Sequence, residues 1–126
     1  MSKIFISPGD PAGIGPEITL KALSENKNIQ NNFVLAGDKE FYQNLIDEYS
    51  LEVNLIDKKS KEKGVIFEHF PLKNEVSLGN PDVSNANYIM EVLSYGALGS
   101  LNKRFKGLIT GPVSYTHLTL PTINWV

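Results

Sequence analysis

The chain contains no cysteine, so it can build neither a disulfide framework nor a thiolate metal site. Of its two histidines, His69 has no second histidine or carboxylate at ligand spacing, and His117 lies in an unusual tail considered below. There is no basic excess: 12 Lys and Arg stand against 14 Asp and Glu, with a formal net charge of −2 and a pI near 5.6. That balance argues against nucleic acid or an anionic membrane as partner. No apolar run approaches the ~18 residues that a membrane span requires, and Met1 to Lys3 leads into a strand without a secretory pattern. The expected compartment is the cytoplasm. No pair of carboxylates reads as an acid/base couple, and Ser7, Ser84 and Ser94 have no nucleophile context. From Gly107 to Val126 there is no Asp, Glu, Lys or Arg at all.

What is present is concentrated near the start. The apolar run Ile4-Phe5-Ile6 is followed by Ser7-Pro8-Gly9-Asp10-Pro11-Ala12-Gly13-Ile14-Gly15-Pro16-Glu17, which reads as a strand, a glycine-hinged loop and a helix start. The reading places Gly15 at the cap and Pro16 at the first helical position, where a missing N–H is harmless. Glu17 then faces the positive end of the helix dipole. Gly9, Gly13 and Gly15 carry no β-carbon, so the loop backbone can approach a phosphate, a carboxylate or a nicotinamide ring closely. The spacing is not that of the dinucleotide fingerprint. Asp10 either orients a ribose or amide or caps its own loop, and an Asx-type turn is the favoured role. Gly37-Asp38 reads as a turn and helix cap rather than a ribose-binding acid.

The chain of 126 residues fits one domain on the usual scale of ~100–200 residues. Strand and helix patterns alternate along it. Strands are expected at Lys3 to Ser7, Phe33 to Ala36, Val53 to Ile56, Val65 to His69 and Gly107 to Thr110. Helices are expected from Pro16 to about Asn26, with Ile18, Ala22 and Leu23 on one face, and from Lys39 to Tyr49, with Phe41, Leu45 and Tyr49 in register. A third runs from about Asn85 to Leu101, presenting Ile89, Val92, Leu93, Gly96 and Ala97. Such alternation predicts an α/β fold with a largely parallel sheet between helical layers. Lys58-Lys59-Ser60-Lys61-Glu62-Lys63 reads as a solvated turn. Ligands of open α/β sheets gather beyond the carboxyl ends of the strands. The loop after the first strand and Thr110-Gly111-Pro112 after the last are therefore expected on one rim.

The Gly9 to Glu17 string resembles the opening of the 4-hydroxythreonine-4-phosphate dehydrogenase family of pyridoxal phosphate biosynthesis. More distantly, it is similar to the opening of isocitrate and isopropylmalate dehydrogenases. Leu78-Gly79-Asn80-Pro81 with the helix after it, and Gly107-Leu108-Ile109-Thr110-Gly111-Pro112-Val113, resemble two further segments of the family in the same order. The resemblance implies a three-layer α/β/α fold of the isocitrate/isopropylmalate dehydrogenase type, present incompletely because the family's members are far longer. It also implies a phosphorylated small-molecule substrate, 4-phosphohydroxy-L-threonine, oxidised and decarboxylated with NAD or NADP and assisted by a divalent metal in a homodimer. Cofactor contacts are expected from Gly9, Asp10, Gly13, Ile14, Gly15, Thr110, Gly111 and Pro112. The family's three metal-binding histidines lie beyond the end of this chain, so no metal ligand and no catalytic residue is assigned within it.

After Val113 the resemblance stops. The family continues with Asn-Lys, whereas this chain has Ser114-Tyr115, and Val113 to Thr122 resembles translated read-through of a transposase-end sequencing adapter. The expected division is therefore 1–113, the front of a dehydrogenase domain, and 114–126, a non-native tail. The chain as written is expected to be inactive. Two alternatives stand beside the main reading. One is a sibling dehydrogenase acting on a phosphorylated threonate or related acid, and the other is a non-catalytic phosphate- or nucleotide-binding module.

Overall fold

Ile4-Phe5-Ile6 and Phe33-Val34-Leu35-Ala36 are continuous apolar runs, the pattern of strands covered on both faces. In the computed structural model of the chain, which describes residues 3–73, 79 and 85–111, they form β1 (Ile4–Ser7) and β2 (Phe33–Gly37). With β3 (Leu55–Ile56), β4 (Val65–His69) and β5 (Gly107–Thr110) they make a five-stranded sheet in the order β3-β4-β2-β1-β5. Every pairing is parallel. Ile6 lies opposite Leu35 and Ile109, and Phe5 opposite Val34 and Leu108. Because side chains alternate across a strand, this register sends Ile6, Leu35, Val65 and Phe67 to one layer and Phe5, Val34 and Ala36 to the other.

On the first face lie α1 (Gly15–Glu25) and α2 (Lys39–Glu48), contributing Leu20, Leu23, Tyr42, Leu45 and Ile46. On the second lies α3 (Ala86–Leu101), contributing Tyr88, Ile89 and Val92. The α/β class and the parallel sheet thus stand as the alternation of patterns predicts, with element ends shifted by at most two residues.

The inward faces of two helices differ from the expected ones. On α1 the buried side chains are Leu20 and Leu23, while Ile18 is 49% exposed and Ala22 is also exposed. Two neighbouring stripes of that helix are apolar, and the one that shares its inward side with buried Gly15 and Pro16 is the Leu stripe. On α2, Leu45 is flanked in the core by Tyr42 and Ile46, with Phe41 half-buried and Tyr49 exposed. The face expected of α3 is correct at Ile89, Val92 and Gly96, with Leu93 and Ala97 half-buried. The lysine-rich turn is exposed at Lys58, Lys59, Lys61 and Lys63, as its charge implies.

A short 3₁₀ helix, Lys27–Asn32, has no counterpart in the sequence pattern. Its Gln30 is buried, and its side-chain amide donates to the carbonyls of Leu23 (2.9 Å) and Glu52 (2.8 Å), tying the end of α1 to the approach to β3. Gln30→Leu keeps the volume but leaves the buried Leu23 carbonyl and the part-buried Glu52 carbonyl without this donor. It is expected to cost about 1–3 kcal/mol, read from urea denaturation against the parent chain.

Candidate functional site

From β1 the chain moves through α1 to β2 on one side, whereas β5 returns on the other side of β1. The direction of winding therefore reverses between β1 and β5, and in open α/β sheets the ligand crevice lies at such a point, beyond the carboxyl ends of the strands. Ser7 pairs with Thr110 there, and the Gly111 N–H donates to the Ser7 carbonyl at 2.7 Å. A β-carbon on Gly111 would lie 2.1 Å from the Pro8 carbonyl oxygen and 2.5 Å from its carbon. The two loops can run side by side only because that position is glycine.

Asp10 is buried, and its carboxylate accepts from the Ala12 N–H at 2.9 Å while its carbonyl accepts from the Gly13 N–H at 3.0 Å. This is the Asx-type turn favoured from the sequence. It engages the N–H groups of Ala12 and Gly13 within the loop itself. Gly9 holds a φ of 92°, the left-handed region that glycine enters without strain.

The entry to α1 differs from the expected one by a residue. Ile14 is the cap, without a side-chain hydrogen bond, so Gly15 and Pro16 occupy the first two helical positions. Both are buried, while Ile14 is 66% exposed at the rim. Glu17 turns along the helix to meet Lys21 Nζ at 2.7 Å. Hydrogen bonds from Lys21 first, and then Tyr49, hold its carboxyl below the ordinary range. Glu17 therefore serves the surface of α1 and α2 and not the crevice.

A third segment joins the rim. The Gly79 N–H donates to the Ala12 carbonyl at 2.8 Å, with Gly79 at a φ of 79°. Of the sequence-derived candidates, the loop from Gly9 to Gly15 thus follows the end of β1, Thr110 and Gly111 stand at the end of β5 beside it, and Gly79 is bonded to that loop. Pro112, the rest of Leu78 to Pro81, and the segment 114–126 lie outside the described residues.

Gly37-Asp38 is a turn and cap, as read. Asp38 accepts from the Phe41 N–H (3.0 Å) through one carboxylate oxygen and from the Leu72 N–H (2.8 Å) through the other. The Tyr88 hydroxyl accepts from the Asp38 N–H at 2.8 Å, and burial pushes the Tyr88 phenol well above its usual range. The Nδ1 of His69 accepts from the Lys39 N–H at 3.1 Å, so this strand-end histidine is engaged in the same corner. Sequence patterns give no sign of the Tyr88 contact, since its partner lies on a different element. Among the described residues no group of three His, Cys, Asp or Glu is placed to hold a metal ion.

No protein-family model matches the chain. Individual relatives do match. The chain is 30% identical over 118 residues to a 4-hydroxythreonine-4-phosphate dehydrogenase of Vibrio cholerae, covering 88% of this chain and 35% of that protein. It is 30% identical over 121 residues to the enzyme of the same name from Wigglesworthia glossinidia brevipalpis, covering 90% and 36%. The chain is related to the 4-hydroxythreonine-4-phosphate dehydrogenases. It spans about a third of the length of the curated relatives it matches. A crystal structure of a 4-hydroxythreonine-4-phosphate dehydrogenase from Klebsiella pneumoniae superposes with a TM-score of 0.78 at 21% identity, covering 93% of this chain and 39% of that one. That likeness places the sheet and its helices in the isocitrate/isopropylmalate dehydrogenase-like fold carried by these dehydrogenases. The crevice described above is built from the segments on which the dehydrogenase resemblance rests.

Proposed function

We propose that this chain is the front part of an NAD-dependent dehydrogenase that oxidises and decarboxylates 4-phosphohydroxy-L-threonine in pyridoxal 5'-phosphate biosynthesis. The observation that carries the reading is the convergence of the Gly9 to Gly15 loop, Gly79 and Thr110-Gly111 at the strand-order reversal, together with relatives of that name. The chain's own part is to bind and orient. Gly9 and Gly111 let two backbones lie close enough to form one wall, buried Asp10 fixes the loop, and exposed Ile14 and Thr110 present an apolar and a hydroxyl surface at its mouth. A dinucleotide fits such a wall, which is backbone-lined and needs no rearrangement of side chains. A bound NAD would supply the acceptor for the hydride that leaves the substrate carbinol. The described residues do not fit a divalent metal, so the ion, and the dimer in which the family resemblance places it, are assigned to parts of the protein outside them.

The test is to recover from the source DNA the longer reading frame containing residues 1–113, express its product, and follow nicotinamide reduction with 4-phosphohydroxy-L-threonine. Turnover with that substrate is expected, and none with a phosphorylated threonate. The reverse preference would assign the sibling activity, and nucleotide binding without turnover on either substrate would replace the enzyme reading by a binding module.

A further inference from the structure

α3 packs over β1 and β5. Beside it, on the same face of the sheet, lies a cleft of about 220 Å³ walled by Val34, Ile66, Tyr95 and Phe105 and bordered by four charged residues, Lys3, Lys58, Glu68 and Arg104. Lys3 precedes β1 and Arg104 precedes β5, so the cleft reaches the amino ends of these strands, whereas the candidate site lies beyond their carboxyl ends. Among the described residues the ion pairs are Glu17 with Lys21 and Lys27 with Glu52, and none of the four cleft charges takes part in one. The Arg104 guanidinium is seated 4.5 Å from the centre of the Tyr95 ring and 5.0 Å from that of Phe105. Gly99 makes this seat possible, because a β-carbon there would fall 2.3 Å from the Phe105 ring and 3.4 Å from a guanidinium nitrogen of Arg104. A guanidinium already held against rings has little freedom left to lose when its fork of N–H donors takes an oxyanion. The Lys3 ammonium spends one of its three donors on the Asn31 carbonyl, which holds a second charge beside the cleft.

We propose that this cleft is a second binding site, which takes a small phosphomonoester with a compact apolar body. Charge sets the class of ligand. Three cations against one carboxylate leave a net two positive charges around the cleft, which a phosphomonoester, at about −1.5 to −2 near pH 7, balances and a single carboxylate does not. The Arg104 fork matches phosphate oxygens in pairs, and Lys58 and Lys3 supply point charges to the remaining oxygen. Size sets the body. The cleft is smaller than the ~300 Å³ at which pockets for drug-sized ligands begin, so it admits one ring or a short branched chain against Val34 and Ile66 and excludes a dinucleotide. Because it stands at the opposite ends of the strands from the candidate site, its ligand and the dehydrogenase substrate do not compete.

Phenyl phosphate is the probe, titrated calorimetrically into the longer protein recovered from the source DNA. Binding is expected, weakened roughly tenfold by Arg104→Gln and strengthened roughly threefold by Glu68→Gln. Opposite shifts at two residues of one cleft report a charge held between them, since a loss of packing would weaken binding in both variants. Lys58→Gln, in the exposed turn, repeats the loss of a cation without touching the rings, and is expected to weaken binding roughly threefold. Inorganic phosphate, which lacks the apolar body, is expected to bind roughly tenfold more weakly than phenyl phosphate. Absence of binding would overturn the proposal, and would follow if a later part of the polypeptide fills the cleft. Equal binding by the parent and all three variants would overturn it by placing the ligand elsewhere, and inorganic phosphate binding as tightly as phenyl phosphate would reduce the cleft to a diffuse counter-ion surface. Calorimetry reads no turnover, so this result and the dehydrogenase assay fail independently.

Discussion

Gly111→Ala is expected to destabilise the fold by about 3 kcal/mol, lowering the unfolding midpoint by roughly 10 °C for a chain of this size, and to weaken nucleotide binding by the longer protein in parallel. The added methyl would sit 2.1 Å from the Pro8 oxygen and 3.0 Å from its Cα. These are backbone atoms that cannot rotate aside, unlike the end of a long side chain. Relief requires the end of β5 to separate from β1, which breaks the Gly111 N–H bond to the Ser7 carbonyl and opens the crevice wall. Two neighbours calibrate the measurement. A methyl on Gly107 would meet nothing within 4 Å, and one on Gly13 would meet the Asp10 carbonyl only at 3.4 Å. Both alanine variants are therefore expected within about 1 kcal/mol of the parent. Thermal melts of the three variants check the series, and a Gly111→Ala midpoint equal to that of Gly107→Ala would show that the two loops are not in register as described.

This same glycine illustrates what sequence reading captures. The run Gly9 to Glu17 announces a strand, a tight loop and a helix because each step depends on local chemistry: apolar β-branched residues, glycine at positive φ, and proline near a helix start. The strands likewise follow from short apolar runs bounded by glycine and charge. What local chemistry does not carry is which of two apolar stripes on α1 meets the sheet, since Leu20 with Leu23 and Ile18 with Ala22 satisfy the helical period equally well. The Leu stripe is inward, while Ile18 is exposed and Ala22 lines a groove together with Ile109. Gln30 is a further case: a polar residue in a polar stretch gives no hint that two distant carbonyls await it. For the candidate site, the placement of the first loop beside the end of β5 was legible, and the contact of Gly79 with Ala12 was not, because it is a long-range backbone bond that leaves no periodic trace.

The other large effect is expected at Phe5, on β1 between β2 and β5. Phe5→Ala is expected to cost about 3–5 kcal/mol, a large part of the 5–15 kcal/mol that holds a typical domain folded. Its ring is fully buried, 4.9 Å from the Phe105 ring and 5.7 Å from that of Tyr95. A β-carbon on Gly96 of α3 would fall 2.4 Å from that ring. The absence of a side chain at Gly96 and the ring at Phe5 are thus two halves of one contact, by which α3 is seated on β1, the strand whose end carries the candidate site. The pair makes a definite prediction about coupling. Gly96→Ala alone overpacks the interface and is expected to destabilise by about 1–3 kcal/mol, despite alanine's better helix propensity. In the Phe5→Ala background the ring is gone, the new methyl enters the vacated space, and the same substitution is expected to be neutral or stabilising. The double mutant should therefore be more stable than the sum of the single effects predicts by at least about 1 kcal/mol. Urea denaturation of the four chains measures this directly. Additivity within about 0.5 kcal/mol would mean that α3 is held on β1 by its flanking contacts at Ile89, Val92 and Phe105, and that the Phe5 ring does not set the height of the helix above the strand.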